Sequence, residues 1–318
     1  MSLSMTLAAA KLARETRRAQ RSSSPAKPHT NPEPPHTLRQ HQSVSTREVC
    51  GFPVYSVAPL AFALNAGTNL APLGELAPNQ TAARACLYLH AGGFSNTIRP
   101  PAWNFIDQIA DSGVRVEVPI YGLVPEHSAP EATALVQQTY RELVADHGEE
   151  NVSILGESAG GALAVGALLF GIHATPAHLI LNAPWLDLEL GNPRMSRYEQ
   201  RDPKLSSAGL RPAGRQWAGG DPAAFADPTI NPAAGWKKGA GMASLITQEQ
   251  QRKTTVTAFC GDRDLSLPDT QDFTAATRRA GLAAELVEVP GGFHMYHLSA
   301  TAESRRDRRR IVDLINQR

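Results

Sequence analysis

A serine hydroxyl becomes a nucleophile only where a base takes its proton and an acid holds that base in the right tautomer. This chain carries residues of all three kinds at suggestive positions. Gly156-Glu157-Ser158-Ala159-Gly160 lies between a short apolar run, Val152-Ser153-Ile154-Leu155, and an Ala/Leu-rich stretch at 162–169. The G-x-S-x-G spacing is that of a nucleophile elbow. Its serine occupies a strained strand-to-helix turn, and glycines two before and two after it remove Cβ atoms that would clash there. Asp262 and Asp264 follow the apolar run that ends at Cys260, and His294 and His297 follow the run that ends at Val289. Serine, then acid, then histidine is the chain order that accompanies such an elbow. From position alone, either aspartate can orient the base and either histidine can be the base. The ordinary alternative is loop work: an Asp capping a turn, a His in solvent. His90-Ala91-Gly92-Gly93-Phe94 follows an earlier apolar run. There the backbone N–H groups of Gly92 and Gly93, with that of Ala159, are candidates for an oxyanion hole, the alternative being a plain Gly-Gly turn.

These groups can meet only if regular elements bring their loops together. Strand-like runs recur at 52–58, 85–90, 114–120, 152–155, 178–182, 255–260 and 284–289, with helix-like segments around 103–110, 131–146, 162–169, 269–280 and 302–316. The run at 85–90 is almost continuously apolar, as in a strand buried on both faces. Pro53 points to an edge position for the first run. Strands alternating with helices predict an α/β fold with a mostly parallel, doubly wound sheet. The stretch 187–251, rich in Gly, Pro, Asp and Trp, has little periodicity and is expected to be an irregular insertion over the sheet. No internal repeat is visible.

Residues 1–20 form a basic amphipathic helical pattern with a single acid, and Ser, Pro and His dominate from Arg21 to about residue 42. The expected organisation is therefore a cap-forming or mobile segment at 1–45 and a catalytic domain at 46–318. The apolar part of the first helix is short for a secretory signal, and its Arg-rich, acid-poor character also suits an organelle transit peptide. Lys and Arg number 31 against 30 Asp and Glu, so charge gives no reason to expect a nucleic acid partner. No apolar run is long enough to span a bilayer. Of three cysteines, Cys86 and Cys260 sit in apolar runs, which fits a reduced, cytoplasmic setting. Sequons occur at Asn79 and Asn151, the second at the start of the elbow strand where a glycan fits poorly. A loop carries Asn65, Gly67 and Gly74. The histidines lack metal-ligand spacing and no loop matches a phosphate cradle, so neither metal nor cofactor is expected. Arg305, Arg306, Arg308, Arg309 and Arg310 read as the solvated face of a terminal helix.

Taken together, the motifs resemble the hormone-sensitive-lipase-like group of α/β-hydrolases, which includes many carboxylesterases. His90-Ala91-Gly92-Gly93-Phe94 stands where that family reads HGGG plus an aromatic, and Gly156-Glu157-Ser158-Ala159-Gly160-Gly161 where it usually reads GDSAGG. Tyr121-Gly122-Leu123-Val124-Pro125-Glu126-His127 is similar to its YRLAPEH segment, and Asn182-Ala183-Pro184-Trp185-Leu186-Asp187-Leu188 to its SPWLDL segment. The resemblance covers residues from about 50 to 318. It departs from the pattern at Ala91, Glu157 and Gly122. It implies an α/β-hydrolase fold in which N-terminal helices help to cap an acyl pocket, with Ser158 as nucleophile, His294 as base and Asp264 as acid. The oxyanion hole is implied at Gly92, Gly93 and Ala159. The implied function is a serine carboxylesterase acting on a small-molecule ester through an acyl-enzyme. Deacetylase, lactonase or formamidase activity and a non-catalytic ligand receptor are the alternatives, and a homodimer is among the states the sequence allows.

Overall fold

Alternation along single strands separates the two faces of the sheet. In the computed structural model, which describes residues 2–21, 29–60, 82–237 and 242–317, Ala85, Leu87 and Leu89 pack on one side while Cys86 and Tyr88 pack on the other. Both faces are buried, which is why this run reads as continuously apolar. The loop of Asn65, Gly67 and Gly74, the sequon at Asn79 and part of the expected linker lie outside the described residues.

Among the described residues eight strands form one sheet: β1 (Gln42–Val49), β2 (Phe52–Pro59), β3 (Arg84–Leu89), β4 (Val114–Pro119), β5 (Val152–Glu157), β6 (His178–Asn182), β7 (Thr255–Gly261) and β8 (Ala283–Val289). Their spatial order is β1-β2-β4-β3-β5-β6-β7-β8. The pairs β1–β2 and β2–β4 are antiparallel and all others parallel. The mostly parallel, doubly wound sheet expected from the sequence is present.

Among the described residues the α-helices are α1 (Leu3–Arg21), α2 (Pro100–Asp111), α3 (Ala129–His147), α4 (Ala159–Leu163), α5 (Met195–Glu199), α6 (Ser207–Trp217), α7 (Ala234–Lys237), α8 (Gln248–Lys253), α9 (Leu267–Arg279) and α10 (Ala302–Asn316). α4 continues as a π-helical turn over Ala164–Phe170. One face of the sheet is covered by α3, α4 and α9 through Leu135, Val136, Leu163 and Phe273. The other is covered by α2 and α10 through Trp103, Ile106, Ile109, Ile311 and Ile315. Among the described residues, no helix is long and apolar enough to cross a membrane.

Three expectations need correction. The run with Pro53 is not at an edge: β2 lies between β1 and β4. Pro53 is tolerated because pairing with β4 begins at Val54, so no β4 carbonyl needs its missing N–H, while its own carbonyl accepts the Ile120 N–H at 2.9 Å. The edge on that side, β1, escaped detection because it is mostly polar, and the sheet begins at Gln42, ahead of the expected boundary at 46. The stretch 187–251 is not irregular throughout: it folds into α5 to α8 and packs Trp217 into the core. α1 is a covering segment, with Met5 and Ala9 against Val289, Phe293 and Tyr296 and its Leu3 and Leu7 exposed.

Candidate active site

Between β3 and β5 the winding of the sheet reverses, and in an open α/β sheet that is where a crevice forms beyond the strand C-termini. Register puts the key loops side by side there. Leu89 is level with Gly156, Glu157 with Asn182, Asn182 with Phe259, and Gly261 with Val289. The Gly92–Gly93 loop, the elbow, the aspartate loop and the histidine loop therefore leave the same edge.

Ser158 has φ +50° and ψ −112°, a strained setting for a residue with a Cβ. Backbone bonds hold it there: its N–H donates to Asn182 O at 3.0 Å, and its own carbonyl accepts from Gly161 and Trp185, each at 2.9 Å. The start of α4 lies tightly against the end of β3, since a Cβ at Gly160 would fall 2.1 Å from Leu89 O. Only glycine permits that approach.

His294 Nε2 is 3.0 Å from Ser158 Oγ, and its Nδ1 is 3.1 and 3.2 Å from the two oxygens of Asp264. An ionised carboxylate can only accept, so the proton belongs on Nδ1 and Nε2 is free to accept the serine O–H. Asp264 is fully buried and also accepts from the Ser266 N–H and Oγ–H at 2.9 and 2.8 Å. The structure thus separates the aspartates. Asp262 accepts the Gly291 N–H at 2.8 Å, tying the two loops together, and does not bond His294. Backbone bonds from Asp262 to Val289 and from Arg263 to Gly292, both 3.0 Å, complete that seam.

The histidines are separated as well. His297 Nε2 lies 2.7 Å from Glu157 Oε1, both groups buried, immediately behind the serine in the chain. Arg308 donates to the carbonyls of His297 and Ser299, so one member of the terminal Arg cluster anchors this loop instead of being purely solvated. Sequence reasoning did not find the Glu157–His297 pair. Its signal was the substitution of Glu157 for the family's aspartate.

In the glycine loop, Gly92 has φ +151°, and a Cβ there would meet Asn96 O at 1.9 Å. His29 lies over this loop, accepting from Thr97 N–H at 2.8 Å and donating its N–H to Asn96 Oδ1 at 2.9 Å. Tyr121 O–H donates to His90 O at 2.6 Å and its ring stacks on His90 at 4.1 Å. Burial keeps His90 neutral, its pKa pushed down to about 4. Among the described residues the N–H groups of Gly92, Gly93 and Ala159 donate to no protein acceptor. Those three amides are left available to an incoming anion.

A narrow cavity of about 10 Å³ opens on Ser158 and His294, with apolar walls that include Trp185, Leu190, Leu205, Leu210 and Leu265. Trp185 also lies beside Phe94, which stacks on Trp217 at 3.9 Å, so the 187–251 stretch and the glycine loop brace one another. That stretch supplies a carboxylate the sequence did not reveal. Asp202 accepts the Leu265 N–H at 2.9 Å beside Asp264, and burial together with the charge of Asp264 raises its pKa to about 6.

A family model described as "alpha/beta hydrolase fold" matches residues 86–298. Two Mycobacterium tuberculosis proteins are similar in sequence. A triacylglycerol lipase is 32% identical over 122 residues, and the match covers 36% of this chain and 27% of that protein, so this chain spans only about a quarter of its length. Esterase LipU is 27% identical over 266 residues, covering 80% of this chain and 84% of that one. Among solved structures, a Staphylococcus aureus protein described as a putative esterase superposes with a TM-score of 0.72 at 23% identity, covering 97% of this chain and 91% of that one. An esterase of the bacterial hormone-sensitive lipase family gives a TM-score of 0.73 at 21% identity, covering 99% and 98%. At these identities the structural likeness establishes a shared fold.

Proposed function

Since the chain belongs to the α/β-hydrolase fold family, we propose that it is a serine carboxylesterase that cleaves small esters through an acyl-enzyme. The observation that carries this is the line of contacts from Ser158 Oγ to His294 Nε2 at 3.0 Å and from His294 Nδ1 to buried Asp264 at 3.1 Å. Names of the relatives, esterase and triacylglycerol lipase, point to the same bond class.

His294 takes the Ser158 proton as Oγ attacks the ester carbonyl, and Asp264 stabilises the imidazolium that results. Negative charge developing on the carbonyl oxygen is met by the N–H groups of Gly92, Gly93 and Ala159, which have no protein acceptor to abandon. His294 then returns the proton to the leaving alcohol oxygen as the tetrahedral intermediate collapses. A water, deprotonated by the same imidazole, attacks the acyl-enzyme and releases the acid. The leucine-lined cavity beside Ser158 is where the acyl group is received.

Treatment with a fluorophosphonate probe followed by mass spectrometry is expected to label Ser158. Ser158→Ala is expected to abolish p-nitrophenyl butyrate hydrolysis while leaving the thermal melt intact. Undiminished hydrolysis by that variant would overturn the proposal.

A further inference from the structure

Helix α1 has apolar side chains on two opposite sides, and the fold uses only one of them. Met5, Ala9 and Leu12 turn inward and pack against Val289, Phe293 and Tyr296. At 3.6 residues per turn, Leu3, Leu7, Ala10, Arg14 and Arg17 fall along the opposite side, and all five are exposed. Leu3 and Leu7 are 75% and 61% exposed, and among the described residues they are the only exposed large hydrophobic side chains. A single leucine in water needs no account, but these two are neighbours on one stripe.

The same stripe turns basic in its second half. α1 holds five of the chain's 31 Lys and Arg but only one of its 30 Asp and Glu, so the rest of the chain is net acidic. Lys11 meets that acid, Glu15, at 4.0 Å, and among the described residues no carboxylate pairs with Arg14, Arg17 or Arg18. Glu303 of α10 is held at the helix flank by the Ser4 hydroxyl, which donates to it at 3.5 Å.

Leucines at one end and unpaired guanidinium groups at the other suit a helix lying in the plane of a membrane interface. Apolar side chains enter the acyl boundary there, and guanidinium groups meet anionic headgroups. The acidic remainder of the chain is repelled by such a surface, so attraction acts through α1 alone. A second copy on the same stripe would press guanidinium groups against each other or against leucines, which is unfavourable. We infer that the outward face of α1 docks this protein on an anionic lipid surface, with Leu3 and Leu7 entering the interface and Arg14, Arg17 and Arg18 on the headgroups. The inward face stays on the loop of Phe293 and His294, so docking sets the candidate active site one helix away from lipid. This attachment does not depend on the esterase reading.

The test is flotation of the full-length chain with vesicles of phosphatidylcholine alone or mixed roughly 7:3 with phosphatidylserine, at about 0.1 M and about 1 M NaCl. At the lower salt, wild type is expected to bind the anionic vesicles roughly 100-fold more tightly than the neutral ones, about fivefold for each of three arginines. The higher salt abolishes that advantage, and so does Arg14→Gln/Arg17→Gln/Arg18→Gln. Leu3→Ser/Leu7→Ser weakens binding to the anionic vesicles by roughly tenfold for each leucine. All five side chains are exposed, so both variants are expected to melt like wild type, which checks their folding. Wild type that fails to float with anionic vesicles overturns the inference. Equal binding to both vesicle types, or binding untouched by the leucine pair, does the same. A dimer in analytical ultracentrifugation that Leu3→Ser/Leu7→Ser dissolves, without vesicle binding, overturns it in favour of a second copy.

Discussion

His294 with Asp264 and His297 with Glu157 are the same chemical unit, an imidazole against a buried carboxylate, set in two different surroundings. Both histidines come from one loop after β8. The first bridges outward: one nitrogen faces Asp264 at 3.1 Å, the other faces the Ser158 hydroxyl at 3.0 Å, and the serine and histidine both line a cavity. The second is closed in. His297 meets Glu157 at 2.7 Å and packs edge-on against Phe105 and Tyr296. The residue types are therefore not what makes a base. A base needs a third group to act on and a path for substrate, and tertiary placement supplies both to His294 alone. The enclosed pair has a different consequence, since it joins the strand that carries the serine to the loop that carries the proposed base.

The contrast can be broken by parallel substitutions. His294→Asn is expected to lower kcat by about 10⁶ with little change in folding, as removal of a general base does in serine hydrolases. Asp264→Asn follows at roughly 10⁴, because the amide can donate to Nδ1 and so favours the wrong tautomer. His297→Asn and Glu157→Gln belong to the other class. Each leaves one member of a buried pair uncompensated, and a stability loss of about 3 kcal/mol is expected by denaturant titration. Activity per folded molecule should fall by no more than about tenfold. If Glu157→Gln instead matched Asp264→Asn in lost turnover at unchanged stability, the division between the two pairs would collapse.

Asp269 sharpens the comparison as a buried carboxyl with no imidazole beside it. Its pKa in the folded chain is about 7, against about 3.9 for an unperturbed aspartate. Between those values the folded state holds a proton that the unfolded state has released, so this group's contribution to stability declines as pH rises from about 4 to about 7 and is level above. The difference in unfolding free energy between Asp269→Asn and wild type should grow in favour of the variant across that window, by at most about 4 kcal/mol. A pH-independent difference would mean that the carboxyl is ionised throughout. His90 runs the opposite way, its pKa of about 4 causing stability to be lost as pH falls below about 6.5. Only the wild-type-minus-variant difference isolates Asp269.

Legibility in the sequence followed locality. The strand at 178–182 and the helix at 302–316 have the expected bounds in the structure, because their apolar periodicity is a property of neighbouring residues. β1 was missed because an edge strand with one exposed face carries Gln42, Ser43, Ser45 and Arg47 where an interior strand carries aliphatics. α5 to α8 were missed because short helices held by tertiary packing have little periodicity of their own.

The sequence by itself determined the elbow around Ser158, the glycine loop at Gly92 and Gly93, and the order of serine, acid and histidine, since each is a short-range pattern tied to backbone geometry. Resemblance to a known family then favoured Asp264 and His294. Tertiary structure alone assigned Asp262 to the seam between the loops, His297 to Glu157, and Asp202 and Asp269 to the surroundings of the site. Those roles rest on contacts spanning up to 140 residues of chain. A carboxylate or an imidazole takes its function from the groups the fold brings against it, and no local pattern records which groups those are.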